Sequence, residues 1–177
     1  MSRAWVLLAP GVAEGESVAS MWRIELLHPM VVHAPIALTL VGTVFWAAGL
    51  AGGRWKKLRR FALPATVLLL LAAAGSWLSV LTGHWADDVV GRSLYDPRVL
   101  KDHENVSEAV SWVLGGAVVV ELARYLPAVK GLWQAMATVL AAGLLLTACG
   151  LMAWTAHLGA SLVYQQGAGV IMPGPAR

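Results

Sequence analysis

Four long apolar stretches constrain the fold of this chain more than any other feature of its sequence. They lie at about 29–51, 61–82, 106–126 and 132–156. Each is long enough to serve as a helix crossing the roughly 30 Å of hydrocarbon in a bilayer, which takes about 20 residues. The third stretch carries Glu121 and Arg124 near one end, most simply as an ion pair. The sequence therefore predicts an all-α fold, an integral membrane four-helix bundle.

The composition leaves little of the chain for anything outside the bilayer. Hydrophobic residues make up 58% of the 177 residues and charged residues only 13%, which departs strongly from an average soluble domain. The connections between the stretches are short, so we expect no separate soluble domain. Cys149 is the only cysteine and lies within the fourth stretch. The sequence therefore offers neither a disulfide framework nor a thiolate metal site.

The basic residues predict how the bundle is oriented in the membrane. The first connection contains five of them: Arg54, Lys56, Lys57, Arg59 and Arg60. Arg124 and Lys130 flank the third connection, and the positive-inside rule assigns both connections to the cytoplasm. Both termini and the second connection, residues 83–107, then lie on the outer side. This distribution also accounts for the formal charge of +3, so we expect lipid and no nucleic acid as a partner.

The chain divides into three parts around this bundle. Residues 1–27 are predicted to form an interfacial segment, because apolar residues recur at helical spacing between Val18 and Leu26 with charged residues opposite. Residues 28–165 contain the four-helix transmembrane domain, and residues 166–177 form a C-terminal tail. No internal repeat is evident in the sequence.

Parts of the chain outside the four stretches are also predicted to be ordered. The spacing of His84 and Asp88 places both on one helical face, so the second helix is expected to continue past the membrane by a turn or two. Asp102 is the predicted N-cap of the next helix. Near the end of the chain, Tyr164 and a turn at 167–169 are expected to fold the tail back over the end of the bundle.

All five histidines fall where apolar stretches meet the predicted outer side. They are His28, His33, His84, His103 and His157. Imidazole is a good ligand for Zn, Cu, Fe and haem iron, and helix bundles build such sites from facing helices. Each helix supplies one candidate, and His28 is the most dispensable because it precedes Pro29 outside the bundle. The sequence thus predicts a metal or haem site at the outer ends of the helices.

Haem b and a bare metal ion place different demands on these residues. For haem b, His33 and His103 are the predicted axial ligands. His84 and His157 are the second predicted pair. A bare Cu, Fe or Zn ion would also recruit carboxylates, and its predicted ligands are His33, His84, His103, His157, Asp87 and Glu104. No CxxCH segment is present, so haem would not be covalently attached. The inner half has no histidine, which argues against two haems that carry electrons across the bilayer.

Two segments resemble the motifs of a known protein family. Residues 27–38, LHPMVVHAPIAL, are similar to an opening motif HPxxVHFPIAL, and residues 158–170, LGASLVYQQGAGV, are similar to a closing motif GGxLVYxHGxGV. Both motifs are those of the domain of unknown function 2231 family, small bacterial predicted membrane proteins with four helices. In this chain Ala34 replaces the usual Phe, Ala160 a Gly, and Gln166 the usual His. The tail therefore lacks the family's histidine.

The resemblance implies a multi-pass protein of the bacterial inner membrane, and fusion of family members to c-type cytochrome modules implies redox work. We therefore expect a membrane-bound electron-transfer component without independent catalysis. Its expected partners at the periplasmic face are a c-type cytochrome, quinone or a larger membrane complex. The alternative is a non-redox membrane subunit or scaffold of a larger complex, whose histidine and acid cluster is structural. A transporter is less well supported, because the predicted midplane offers few polar residues.

Overall fold

The computed structural model describes residues 23–170, and helices account for most of this range. No strand occurs within it. Four helical segments are long and apolar enough to cross a membrane: Ile24–Ala51, Lys56–Ser93, Pro97–Ala123 and Leu132–Gln166. The prediction of an all-α, four-span membrane protein is therefore confirmed. Predictions that fall on residues 1–22 and 171–177 lie outside the described residues.

Five α-helices make up most of these segments. They are α1 (Leu27–Val31), α2 (His33–Ala51), α3 (Ala62–Val90), α4 (Pro97–Ala123) and α5 (Leu132–Gln166). Only Val32 separates α1 from α2, and its own dihedral angles are helical. Pro35 has no N–H with which to bind the carbonyl of Val31. The missing hydrogen bond accounts for the break between the two helices.

Three helices extend beyond the predicted spans at the same end of the bundle. α3 continues for about two turns past residue 82, α4 begins well before residue 106, and α5 runs on past residue 156. Most of the second connection is therefore helical. These extensions carry the segments in which His84, His103 and His157 lie.

α4 begins earlier than the sequence predicted. Asp96 is its N-cap, and one carboxylate oxygen of Asp96 accepts the backbone N–H of Arg98 at 3.0 Å. Pro97 follows at the first helical position, where its missing N–H costs nothing. The prediction of Asp102 as the N-cap is wrong, because this stronger start signal leaves Asp102 in the second turn.

Within the described residues, α3 and α5 share one spacing of buried residues, and α2 and α4 share another. The buried residues of α3 include Ala65, Leu69, Ala72, Ser76 and Ala86, and those of α5 are Ala141, Leu145, Ala148, Met152 and Leu162. The buried residues of α2 are Pro35, Thr39, Gly42 and Trp46, and those of α4 include Val110, Leu114, Ala117 and Glu121. The spacings within each pair of lists are identical. Ala, Leu and Ala also recur at the first three of these positions in α3 and α5, whereas α2 and α4 share no residue type.

Close packing between helices brings several helix ends together at the histidine end of the bundle. α2 packs along α3, α4 packs along α5, and α3 and α4 join the two pairs. A Cβ at Gly42 would lie 3.0 Å from Leu69, so α2 and α3 approach at the short distance that small residues permit in membrane bundles. The arrangement brings α1, the start of α4 and the ends of α3 and α5 together.

Candidate histidine site

A cavity of about 660 Å³ lies where α1, the first turns of α4 and the last turns of α3 and α5 meet. We call it the histidine cavity, because four histidines belong to its mainly apolar wall: His28, His33, His84 and His103. Small-molecule and cofactor sites typically have volumes of roughly 300–1,000 Å³. The histidine end of the bundle thus contains a space of cofactor size.

His28 and His103 meet in this cavity in a T-shaped contact. The centroids of their imidazole rings are 6.0 Å apart, and the ring planes are perpendicular. Both side chains are half-buried. His28 lies in α1 and His103 in the second turn of α4, so this contact joins the two halves of the chain.

A backbone carbonyl of a neighbouring helix binds each of these two rings. Nδ1–H of His28 donates to the carbonyl of Ser79 at 3.0 Å, and Nδ1–H of His103 donates to the carbonyl of Thr155 at 3.0 Å. A carbonyl oxygen can only accept, so each neutral ring carries its proton on Nδ1 and has an unprotonated Nε2. Histidines that bind metals are commonly oriented by a hydrogen bond of this kind.

Two glycines allow the rings to lie directly against α3 and α5. A Cβ at Gly83 would be 3.2 Å from Cε1 of His28, and a Cβ at Gly159 would be 3.2 Å from Cε1 of His103. Both distances are shorter than an ordinary van der Waals contact. Gly83 lies about one helical turn after Ser79, and Gly159 lies about one helical turn after Thr155. Each glycine thus contacts the same ring as the carbonyl one turn before it. A side chain at either position would therefore displace an imidazole.

The two histidines occupy equivalent positions in the two halves of the chain. The carbonyl partner follows His28 by 51 residues and follows His103 by 52 residues. His28 and His103 are 75 positions apart in the sequence. Trp46 and Glu121 have the same separation, and a hydrogen bond joins them. The two contacts therefore join residues with the same sequence separation, one contact at each end of the bundle.

The comparison with protein families agrees with this architecture. A family model described as a predicted membrane protein, DUF2231, matches residues 25–172. The chain belongs to this family. The match confirms the resemblance seen in the two motifs, and it includes both rings and both glycines of the cavity. No curated protein and no solved structure matches this DUF2231 chain.

In this DUF2231 protein, His103 meets His28 and not His33. His33 is exposed, and its Nδ1 is bound at 2.6 Å to the carbonyl of Pro29, one turn earlier. The expectation that His28 lies outside the bundle is wrong. A proline is tolerated in the first turn of a helix, so α1 begins before Pro29 and carries His28 against α3.

The second predicted pair does not share the cavity. Nε2 of His84 lies 3.7 Å from a carboxylate oxygen of Glu108, and both side chains are about half exposed. His157 is exposed and stacks on Trp154, with ring centroids 5.5 Å apart. His84 belongs to the cavity wall, whereas His157 does not.

Three carboxylates also belong to the cavity wall: Glu25, Asp87 and Glu104. Arg23 binds the carboxylate of Glu25 at 2.6 Å, and Lys101 binds that of Glu104 at 3.1 Å. In the part of the chain that the structure describes, no three His, Cys, Asp or Glu side chains are grouped so as to hold a metal ion. The six residues predicted for a bare ion are therefore not gathered around one point there.

The C-terminal end of α5 folds back over the histidine cavity. Gly167 ends the helix in the left-handed conformation, with φ of 68°. The guanidinium of Arg23 donates to the carbonyl of Gly169 at 3.1 Å, and residues 168–170 belong to the cavity wall. The structure agrees with the predicted return of the tail over the end of the bundle.

The opposite end of the bundle contains a buried ion pair. The carboxylate of Glu121, which is 4% exposed, accepts the indole N–H of Trp46 at 2.6 Å and pairs with Arg124. The predicted pair of Glu121 and Arg124 is therefore confirmed. The bond to Trp46 also joins α2 to α4, which the sequence did not indicate.

Sequence reasoning missed Gly83 and Gly159, and it undervalued His28. A signal for them exists in the spacing: the two glycines are 76 positions apart, within one residue of the separation between His28 and His103. By itself, this equal spacing is only weak evidence that the two glycines and the two histidines are related. It supports a shared site once the helices that contain them are known to pack together.

Proposed function

We propose that this protein is a membrane-bound haem b protein with His28 and His103 as axial ligands, and that it serves as an electron-transfer component. The pair of adjacent imidazoles carries the proposal. Their centroids are 6.0 Å apart in a cavity of cofactor size, and imidazole is a good ligand for haem iron.

The protonation state of the two rings suits such a ligand pair. A histidine binds a metal through an unprotonated nitrogen, and the proton on its other nitrogen usually goes to a carbonyl or carboxylate. The carbonyls of Ser79 and Thr155 play this part for His28 and His103. Both Nε2 atoms are thereby available.

The surroundings of the pair also suit a flat, largely apolar cofactor with a polar edge. The cavity wall is mainly apolar and includes the hydroxyl of Thr155, which is buried and has no hydrogen-bond partner. Arg23 and Lys101 form ion pairs with carboxylates of the wall. These two cations are the groups that would bind the haem propionates.

Haem b supplies a one-electron couple when bound, and the potential of that couple depends on its axial ligands and their hydrogen bonds. The chain's own residues would orient the two Nε2 atoms and keep water from the site. The five histidines lie toward one end of the bundle, so we infer one haem near one membrane face. The basic connections lie at the other end, and with the positive-inside rule this supports a haem at the periplasmic face of a bacterial inner membrane.

This location indicates the proposed partners. A site near the periplasmic face would be within reach of a periplasmic c-type cytochrome, quinone at that interface or a larger membrane complex, which are the proposed electron donors and acceptors. The protein then has no independent catalysis. Its substrate is the electron, and its role is to pass that electron between two other redox groups.

A spectrum of the purified protein tests the proposal. In mild detergent, we expect a reduced-minus-oxidised spectrum with the α band of low-spin haem b. The His28→Ala and His103→Ala variants should each lose most of the haem, because each lacks one axial ligand. The His157→Ala variant is the matched control, and it should keep the haem because its side chain is exposed and lies outside the cavity wall. His33 belongs to the wall, but its ring does not meet the pair, so the His33→Ala variant should also keep the haem.

Three results would contradict the proposal. Stoichiometric Cu, Fe or Zn without an α band would show that the site binds a bare metal ion and not haem. Absence of any haem or metal, with all four variants assembling normally, would favour the non-redox scaffold. Loss of haem from His33→Ala but not from His28→Ala would reassign the ligand pair.

A further inference from the structure

We propose that Gly83 and Gly159 are positioning residues that hold the imidazole planes of His28 and His103 perpendicular to each other. The candidate site then consists of two equivalent half-sites, each made of a histidine, a carbonyl and a glycine. The inference deepens the proposed function and rests on it for the haem measurements. Its structural part concerns the rings themselves and does not depend on a cofactor.

Each half-site fixes a ring by two separate contacts. The hydrogen bond from Nδ1 fixes one point of the ring but leaves the ring free to turn about the bond. Contact with the helix at the glycine removes this freedom, because the edge of the ring lies only 3.2 Å from the position that a Cβ would occupy. The carbonyl and the glycine lie on the same helix face about one turn apart. Together they determine the ring plane.

The two half-sites apply this restraint in the same way. Ser79 and Gly83 hold His28 against α3, and Thr155 and Gly159 hold His103 against α5. α3 and α5 also share a spacing of buried residues. Each ring is therefore held at a fixed angle to its own helix, and the two rings are held at a fixed angle to each other. The observed angle is 90°.

Two other glycines of α5 have no such close neighbour. A Cβ at Gly143 or Gly150, both on α5, would have no neighbour within 4 Å. Alanine at these positions should therefore be tolerated. Gly150→Ala is the matched control for Gly159→Ala, because it makes the same change in the same helix two to three turns away.

The ring planes have a spectroscopic consequence when haem is bound. Low-spin ferric haem with perpendicular axial imidazoles gives a highly anisotropic EPR signal, whereas parallel imidazoles give an ordinary rhombic signal. We expect the wild-type protein to show the highly anisotropic signal. Gly83→Ala and Gly159→Ala should each convert it to a rhombic or high-spin signal, shift the midpoint potential, and lower haem affinity about tenfold or more. Gly150→Ala should change none of these.

A second measurement needs no haem. In protein labelled with ¹⁵N-histidine, His28 and His103 should be in the Nδ1–H form. Gly83→Ala should alter the signal of His28, and Gly159→Ala should alter that of His103, while Gly150→Ala alters neither. If the wild type binds no haem, the proposed function fails and this measurement alone decides the positioning role.

A rescue experiment covers variants that do not assemble. If Gly83→Ala does not assemble, the double variant with His28→Ala removes the ring that the new methyl group meets, and assembly should return. The same holds for Gly159→Ala with His103→Ala. Failure of rescue would overturn the proposal. The proposal would also be overturned if Gly83→Ala and Gly159→Ala left the histidine signals unchanged, as Gly150→Ala should. An EPR signal typical of parallel imidazoles in the wild-type protein would overturn it too.

Discussion

Glu121 is the single charged residue that is buried among residues 23–170. Burial of a carboxylate in an apolar bundle is costly unless hydrogen bonds and an opposite charge compensate for it. Trp46 and Arg124 provide that compensation, and the guanidinium of Arg124 also lies over the Trp46 ring at 5.7 Å. Each of the three side chains therefore depends on the other two.

Removal of the carboxylate should be strongly destabilising. Glu121→Ala leaves a buried guanidinium and an indole N–H without their acceptor, so we expect the free energy of unfolding to fall by about 3–5 kcal/mol. Reversible unfolding in mixed micelles measures the change. Thr147→Ala, an exposed substitution on α5, is the control. A loss below about 1 kcal/mol for Glu121→Ala would show that the pair behaves like a surface ion pair.

At the scale of elements, the start of α4 determines where His103 lies. The N-cap at Asp96 and the proline after it begin the helix at Pro97, and His103 then lies in the second turn, facing α5 and α1. A helix that began at the predicted Asp102 would place His103 at its first position, with different backbone geometry. The local start signal thus contributes to the site.

The N-cap can be tested by substitution at the two candidate positions. Asp96→Ala should lower the free energy of unfolding by about 1 kcal/mol, because the backbone N–H of Arg98 loses its acceptor. Asp96→Asn keeps an acceptor and should cost only a few tenths of a kcal/mol. Asp102→Ala should behave like an ordinary exposed substitution. Equal losses at the two positions, measured by unfolding in micelles, would argue against Asp96 as the cap.

At the scale of the whole molecule, charge and histidines divide between the two ends of the bundle. The connection between α2 and α3 contains five basic residues, and the histidine cavity lies at the opposite end. The positive-inside rule predicts that the cavity lies at the outer face. A periplasmic electron carrier would have access to the site only in this orientation.

Thiol labelling in intact cells tests the orientation. In a Cys149→Ser background, a cysteine at exposed Arg98 should react with a membrane-impermeant reagent, because Arg98 lies at the cavity end. In the Lys57→Cys variant, the thiol should react only after the cells are made permeable, because Lys57 is exposed at the opposite end. Labelling of each variant in permeable cells is the control, because it shows that the thiol is accessible to the reagent. The reverse pattern would place the histidine cavity in the cytoplasm and exclude a periplasmic partner.

The sequence predicted much of the fold and only part of the site. The four spans and the pair of Glu121 and Arg124 follow from composition over short segments. His103 was placed correctly at the end where the cavity lies. The pairing with His28 was not predicted, because Pro29 suggested a chain still outside the bundle, whereas a proline is also compatible with the first turn of a helix.

By itself, the sequence determined how many helices cross the membrane and toward which end the histidines lie. A membrane span is recognised from the hydropathy of about 20 consecutive residues, and its orientation is predicted from the charges beside it. Each span can therefore be predicted from one segment of the sequence. Only the tertiary structure decided which histidines meet. His28 and His103 are far apart in sequence, and their contact depends on helix packing and on close approach at Gly83 and Gly159. Such packing is a sum of many contacts between segments, which no single segment specifies.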